Sequence, residues 1–157
     1  VKPLSTHQLL LWCAATDSTF TRTTVGGEPA LTGKCIHCRT KLSVSLRGRP
    51  IGGASLEHIV PRTHGGTDAF DNIAIACTRC NAQKGTRLDA RRADDPTLRA
   101  VIDTLRARRA ERLREPLDGL ALAPLPTPAH DEADTAETAP DARTVPRKTS
   151  KKNRKTR

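Results

Sequence analysis

The chain has 157 residues with one Trp, two Phe, no Tyr and no Met, which excludes a large aromatic core and calls for a staple, either disulfides or a structural metal. Its formal net charge of +10 is spread as +6 over residues 1–88, +2 over 89–115, −6 over 116–142 and +8 over 143–157; a basic folded part points to a polyanionic partner, because phosphate contacts release counterions. No run is long enough to span a membrane.

In chain order, Ser5 with Gln8 three residues later reads as a capping box that opens a short amphipathic helix over 5–16. The apolar run Leu9–Ala15 follows a single base, Lys2, and is a weak secretory signal. The Thr- and Gly-rich stretch from Thr16 to Lys34 reads as loop. Cys35 to Cys38 reads as a tight knuckle. Leu42, Val44 and Leu46 alternate with polar residues, which predicts a strand. A turn over Arg47 to Gly53 leads to its expected partner strand, Ser55 to Val60. A polar loop with Gly65 and Gly66 follows, then a short strand at Ile73–Ala76 and a helix from about Thr78 to Arg92.

Asp95 and Pro96 supply a cap and a first-turn proline for another helix. Leu98, Val101, Ile102, Leu105 and Leu113 share one face of it. Arg99, Arg106, Arg108, Arg109, Arg112 and Arg114 occupy the others and read as a solvated basic face. Glu115-Pro116 ends the helix. From Pro116 onward Pro, Ala, Thr and acids dominate, a composition expected to stay disordered, and residues 143–157 form a basic tail. The chain therefore divides into an N-terminal helix and loop (1–34), a central domain (35–92), a basic amphipathic helix (93–115) and an acidic-then-basic tail (116–157). The expected class is α+β.

Four of the five cysteines form two C-x2-C pairs, Cys35/Cys38 and Cys77/Cys80, with 38 residues between them. Two disulfides are possible in a secreted chain, but a bridge between cysteines three positions apart is strained, and the spacing suits a tetrahedral zinc. Four sulfur ligands leave no open position, so such a zinc is structural and supplies folding energy that a small core lacks. Thiolate zinc also suits a reducing compartment. The leftover Cys13 reads as a small buried apolar residue.

Between the pairs lie Glu57-His58, Asp71-Asn72, then Asn81 and Lys84 on the expected helix. One shared zinc would draw the strand carrying His58 to the start of the helix carrying Asn81. Phosphodiester hydrolysis needs a base, neutralisation of the phosphate and a stabilised leaving oxygen. An imidazole with a pKa of about 6.5 suits the first. A magnesium-like ion suits the other two and needs only one or two protein oxygens, which Glu57 and Asn81 offer. Arg62, His64 and Lys84 are candidate phosphate contacts.

The segments C-I-H-C (35–38), E-H-I-V-P-R (57–62), G-G-T-D (65–68), D-N-I (71–73) and C-T-R-C-N-A-Q-K (77–84) resemble an HNH endonuclease. The resemblance covers Cys35 to about Gly85. It implies a zinc-stabilised ββα-metal finger, two antiparallel strands, a loop and a helix around a catalytic metal. It further implies His58 as general base, Asn72 as the residue that holds the loop and orients it, and Asn81 as a metal ligand. Glu57 takes the acidic position before the base, where Asp is common. Glu is one methylene longer, which weakens the case for direct ligation. The resemblance implies Mg2+ or Mn2+ as catalytic ion, DNA as substrate, and 5′-phosphate and 3′-hydroxyl products. Absent Met and abundant Ala, Arg, Thr and Pro fit a GC-rich bacterial or phage genome, with the protein in the cytoplasm. A non-catalytic zinc-stabilised nucleic-acid-binding module would explain the cysteines and the charge, but not the joint spacing of Glu57, His58, Asn72 and Asn81. A protein-interaction module needs neither metal site and ranks last.

Overall fold

The structure, a computed structural model, describes residues 2–125. Helix α1 (Thr6–Thr16) opens with the expected capping box: Gln8 N–H donates to Ser5 Oγ at 3.3 Å, and Ser5 N–H donates to Gln8 Oε1 at 2.8 Å. It is no peripheral extension. Leu9, Leu10, Leu11, Cys13, Ala14 and Ala15 are all buried, and α1 packs against strands of both sheets. Small side chains at 13–15 let those strands approach closely. Cys13 is fully enclosed, and burial pushes its thiol up to about 12.

The stretch expected to be loop holds a hairpin instead, β1 (Thr21–Val25) and β2 (Glu28–Lys34). Val25 pairs with Glu28 across Gly26 and Gly27, whose φ of +57° and +82° make the two-residue turn that hairpins favour. Threonine is β-branched and suits a strand. The Thr23, Thr32 and Ser43 hydroxyls form a ladder across three strands at 2.7 and 2.8 Å. β3 (Lys41–Ser45) and the short β4 (Pro50–Ile51) complete a sheet of order β1-β2-β3-β4. The first cysteine knuckle is itself the β2–β3 turn, closed by Cys35 N–H to Thr40 O at 2.9 Å.

A second correction concerns pairing. β5 (Ala54–His58) pairs antiparallel with β6 (Ile73–Cys77), in register Ala54↔Cys77 to His58↔Ile73, and not with β3. Ile73, Ala74, Ile75 and Ala76 are all buried, as expected of a strand covered on both faces. The α-helix α2 (Thr78–Lys84) is shorter than expected and gives way to a π-helical turn over Gly85–Asp89. The wider turn carries the carboxylate of Asp89, five positions on, back to the Lys84 ammonium.

Helix α3 (Pro96–Arg112) starts as expected, with Asp95 accepting from the N–H groups of Thr97 (2.9 Å) and Leu98 (3.1 Å). Its basic face is not uniformly solvated. Arg109 and Arg112 are buried. Arg109 donates to Phe70 O and Thr16 Oγ1, each at 2.9 Å. Arg108 donates to the carbonyls of Ile36 (3.2 Å) and His37 (3.1 Å), Arg112 to that of Lys34 (3.0 Å), and Arg114 to that of Phe20 (2.6 Å). The Ile36, His37 and Phe70 carbonyls lie in turns, outside the strand ladders. Arg99 and Arg106 remain exposed.

Residues 116–125, where composition pointed to disorder, run along α1. Leu117, Leu120 and Leu122 pack on the core, Leu117 N–H donates to Ala15 O at 3.2 Å, and Trp12 Nε1–H donates to Ala123 O at 2.9 Å. Three leucines in six residues supply apolar area that the surrounding Pro and acids obscure. The rest of the acidic stretch and the basic tail lie outside the described residues. No helix among the described residues is long and apolar enough to cross a membrane.

Candidate functional site

The four paired cysteines converge. Their sulfur atoms all lie within 4.8 Å of one another, and Cys38 Sγ is 3.8 Å from Cys77 Sγ. A tetrahedron with Zn–S near 2.3 Å has edges of about 3.8 Å. Two unrelated local structures build it: the β2–β3 turn brings Cys35 and Cys38, and the β6–α2 junction brings Cys77 and Cys80. Ile36 N–H to Ile75 O at 2.9 Å stitches them together. Backbone N–H groups aim at the sulfurs, His37 and Cys77 at Cys35 Sγ (3.4 and 3.3 Å) and Cys80 at Cys77 Sγ (3.4 Å), which favours the thiolate form that binds metal. Hydrogen bonds from the Thr40 side chain and backbone pull the Cys38 thiol down to about 6, while burial pushes those of Cys35 and Cys80 up. The donor set and spacing fit zinc.

Beside this knuckle is an open depression of about 260 Å³ lined by Glu57, His58, Arg62, Asn81 and Asp89 among others. His58 ends β5, and its Nε2 lies 2.8 Å from Asp68 Oδ1. Arg62 reaches both partners, Nε at 3.2 Å from His58 Nε2 and Nη2 at 2.6 Å from Asp68 Oδ1. A ring nitrogen cannot donate to Asp68 and accept from Arg62 at once. With Nε2–H donating in the shorter contact, to the carboxylate, a neutral ring would keep its lone pair on Nδ1. The His58 hydrogen bond, assisted by Arg62, holds the Asp68 carboxyl below its ordinary value. Asp68 has no role in the sequence reading, although it sits in the quoted G-G-T-D segment.

Asn72 clasps the loop between the paired strands. Its Oδ1 accepts from Val60 N–H at 2.8 Å, and its Nδ2 donates to Thr67 O at 2.8 Å and Val60 O at 3.2 Å. Asn81, in α2, donates from Nδ2 to Leu56 O at 2.9 Å and Ser55 Oγ at 3.1 Å. Both amide hydrogens are thus spent on β5, which leaves the carbonyl oxygen as the atom free for a ligand.

Glu57 is 1 % exposed and both its oxygens have partners, His37 Nε2 at 3.0 Å and Lys84 Nζ at 2.8 Å. Lys84 differs most from expectation. A phosphate contact requires exposure, yet this side chain is 2 % exposed and also meets Asp89 Oδ1 at 2.9 Å. Arg62, at 62 % side-chain exposure, is accessible. His64 Nε2 lies 3.0 Å from Asp89 O, and His64 does not line the depression. The sequence places His37 exposed within the first knuckle, whereas it is half-buried against Glu57, and Asp89 has no role in the sequence reading. The only signal for either was proximity to a motif residue, since what each touches is 20 positions away (Glu57) or depends on the π turn.

No curated protein and no solved structure gives a significant match to the chain. A match does exist at the level of families, and it spans both cysteine pairs together with His58, Asn72 and Asn81. Over residues 35–96 the chain matches the model of a family described as HNH endonuclease.

Proposed function

We propose that the protein is a metal-dependent endonuclease that hydrolyses DNA phosphodiester bonds, with His58 as general base and Glu57 and Asn81 holding one Mg2+ or Mn2+. The observation that carries this reading is the joint presence of His58 and Asn81 on one open depression, with the Asn81 amide hydrogens anchored to β5. A bound divalent ion would neutralise the phosphate and the leaving oxygen. Asn81 offers it a carbonyl oxygen, and Glu57 offers carboxylate lone pairs beyond the one that each partner uses.

His58 removes the proton from water. Asp68 holds Nε2–H and stabilises the imidazolium that forms, leaving Nδ1 as the acceptor. Asn72 keeps the loop closed, so that Asp68 stays opposite the ring. Arg62 and His64 contact flanking phosphates, and the products are a 5′-phosphate and a 3′-hydroxyl. The zinc holds the two knuckles together and takes no part in chemistry.

One observation favours the rival reading of a non-catalytic nucleic-acid-binding module: both Glu57 oxygens already have partners within the protein. Plasmid, linear and branched DNA and RNA, incubated with Mg2+ or Mn2+, separate the two. The nuclease cuts, and His58→Ala abolishes cutting while zinc content stays at one per chain. A protein that binds DNA with steep salt dependence and never cuts is the module. A His58→Ala variant as fast as the parent removes His58 as base.

A further inference from the structure

Among the described residues Lys84 is the one buried lysine. Its ammonium meets Glu57 Oε1 at 2.8 Å, His58 O at 2.9 Å, and Asp89 Oδ1 and Oδ2 at 2.9 and 3.2 Å. An ammonium has three N–H donors. The ammonium hydrogen-bonds to the His58 carbonyl and Asp89 Oδ2 and is ion-paired with Glu57, and its side chain is only 2 % exposed, so it is not presented to a phosphate.

Glu57 and His58 are neighbours in β5, and successive side chains of a strand point to opposite faces. Glu57 is buried and His58 half-buried, and both border the depression. A device that keeps their relative placement must reach the side chain of one and the backbone of the other. Lys84 does this: it holds the Glu57 carboxylate and the peptide plane that follows the His58 Cα. That plane helps set the direction in which the imidazole leaves the strand. Asp89 holds the ammonium from the opposite side, so that it cannot simply follow Glu57. The Lys84–Asp89 contact depends on the π turn, because five positions along an α-helix lie well away from the starting face.

We propose that Lys84, backed by Asp89, is a positioning residue of the nuclease site: its ammonium ties the Glu57 carboxylate to the His58 main chain and so fixes the base relative to the metal-ligand side of the depression. The proposal rests on the reading of His58 as base.

The test uses the full chain with zinc bound and compares the parent, His58→Ala, Lys84→Met and Asp89→Asn. Single-turnover cutting of plasmid DNA gives kcat and KM at several salt concentrations. NMR follows the ring C–H resonances of His58 and of His7, which lies remote at the start of α1. Asp89→Asn keeps the side-chain shape and decides the matter if Lys84→Met does not fold. Positioning predicts a kcat lowered roughly 10- to 100-fold, unchanged KM and salt slope, and a His58 resonance that moves while that of His7 does not. A folded variant with parental kcat and an unmoved His58 resonance overturns the proposal. So does a raised KM with a log–log salt slope reduced by about 0.9, the mark of one lost phosphate contact. If His58→Ala cuts like the parent, the base reading itself fails. If no substrate is cut at all, the resonances still decide whether Lys84 and Asp89 hold the ring.

Discussion

Arg109→Met tests whether a buried guanidinium holds the loop between β5 and β6. Arg109 is 1 % exposed and donates to Phe70 O and Thr16 Oγ1, both at 2.9 Å. Methionine matches much of its stem but removes both bonds, each worth about 1.5–3 kcal/mol with a charged donor. Two effects offset the loss. Nη1 has no hydrogen-bond partner and its burial cost disappears. Asp17, 4.0 Å from Arg109, keeps Arg112 at 3.8 Å and the Thr19 N–H and hydroxyl at 2.8 and 2.7 Å, so it is not left as an isolated charge. The net loss is about 2–4 kcal/mol, a fall in Tm on the order of 10 °C for a domain of this size. Because Phe70 O belongs to the loop that carries Asp68 and Asn72, cutting should weaken even well below the new Tm. Thermal unfolding by circular dichroism at saturating zinc measures the first effect, and plasmid cutting the second. Arg106→Met on the exposed face is the control and should move stability by no more than about 0.5 kcal/mol. Equal, small shifts for the two variants would refute the reasoning, since burial would then make no difference to these arginines.

Elemental analysis should find one zinc per chain, and chelation should unfold the domain, because a structural zinc contributes about 10–16 kcal/mol against a typical total stability of about 5–15 kcal/mol; a metal-free protein with unchanged circular dichroism contradicts this. Gly66→Ala should abolish cutting, because an added Cβ would lie 1.8 Å from Val60 O and 2.9 Å from Pro61 O, within the loop that Asn72 clasps. Gly65→Ala meets nothing within 4 Å and costs only its left-handed φ of +82°, about 1 kcal/mol, so equal damage from both would refute the steric argument. Asp68→Asn should flatten the acid limb of stability. A carboxyl held low by His58 and Arg62 stabilises above its unfolded value near 3.9 and loses that contribution as pH falls through the lower folded value. Urea midpoints of parent and variant that fall in parallel between pH 5 and 2 would count against it.

Local chemistry was legible without coordinates. The Ser5–Gln8 box, the Asp95-Pro96 cap and the strand at Ile73–Cys77 all depend on residues within a few positions of one another. The cysteine knuckles were legible for the same reason, each being a three-residue spacing, and the order of motifs around His58, Asn72 and Asn81 pointed to one family. The β1–β2 hairpin was also local. Gly26-Gly27 after a threonine-rich segment is a turn signal, obscured because the flanking strands lack an apolar alternation.

What tertiary structure alone decided was the fate of charges and the choice of strand partners. The sequence reading paired β5 with the strand before it, whereas the shared cysteine site and the buried Ile73–Ala76 strand bring β6 beside it. Lys84 and Arg109 look like surface cations in any window of sequence. They are buried because acceptors arrive from segments far along the chain, Glu57 and the His58 carbonyl for one, Thr16 and Phe70 for the other. A charge leaves water only where such partners converge, and convergence belongs to the fold, not to spacing along the chain.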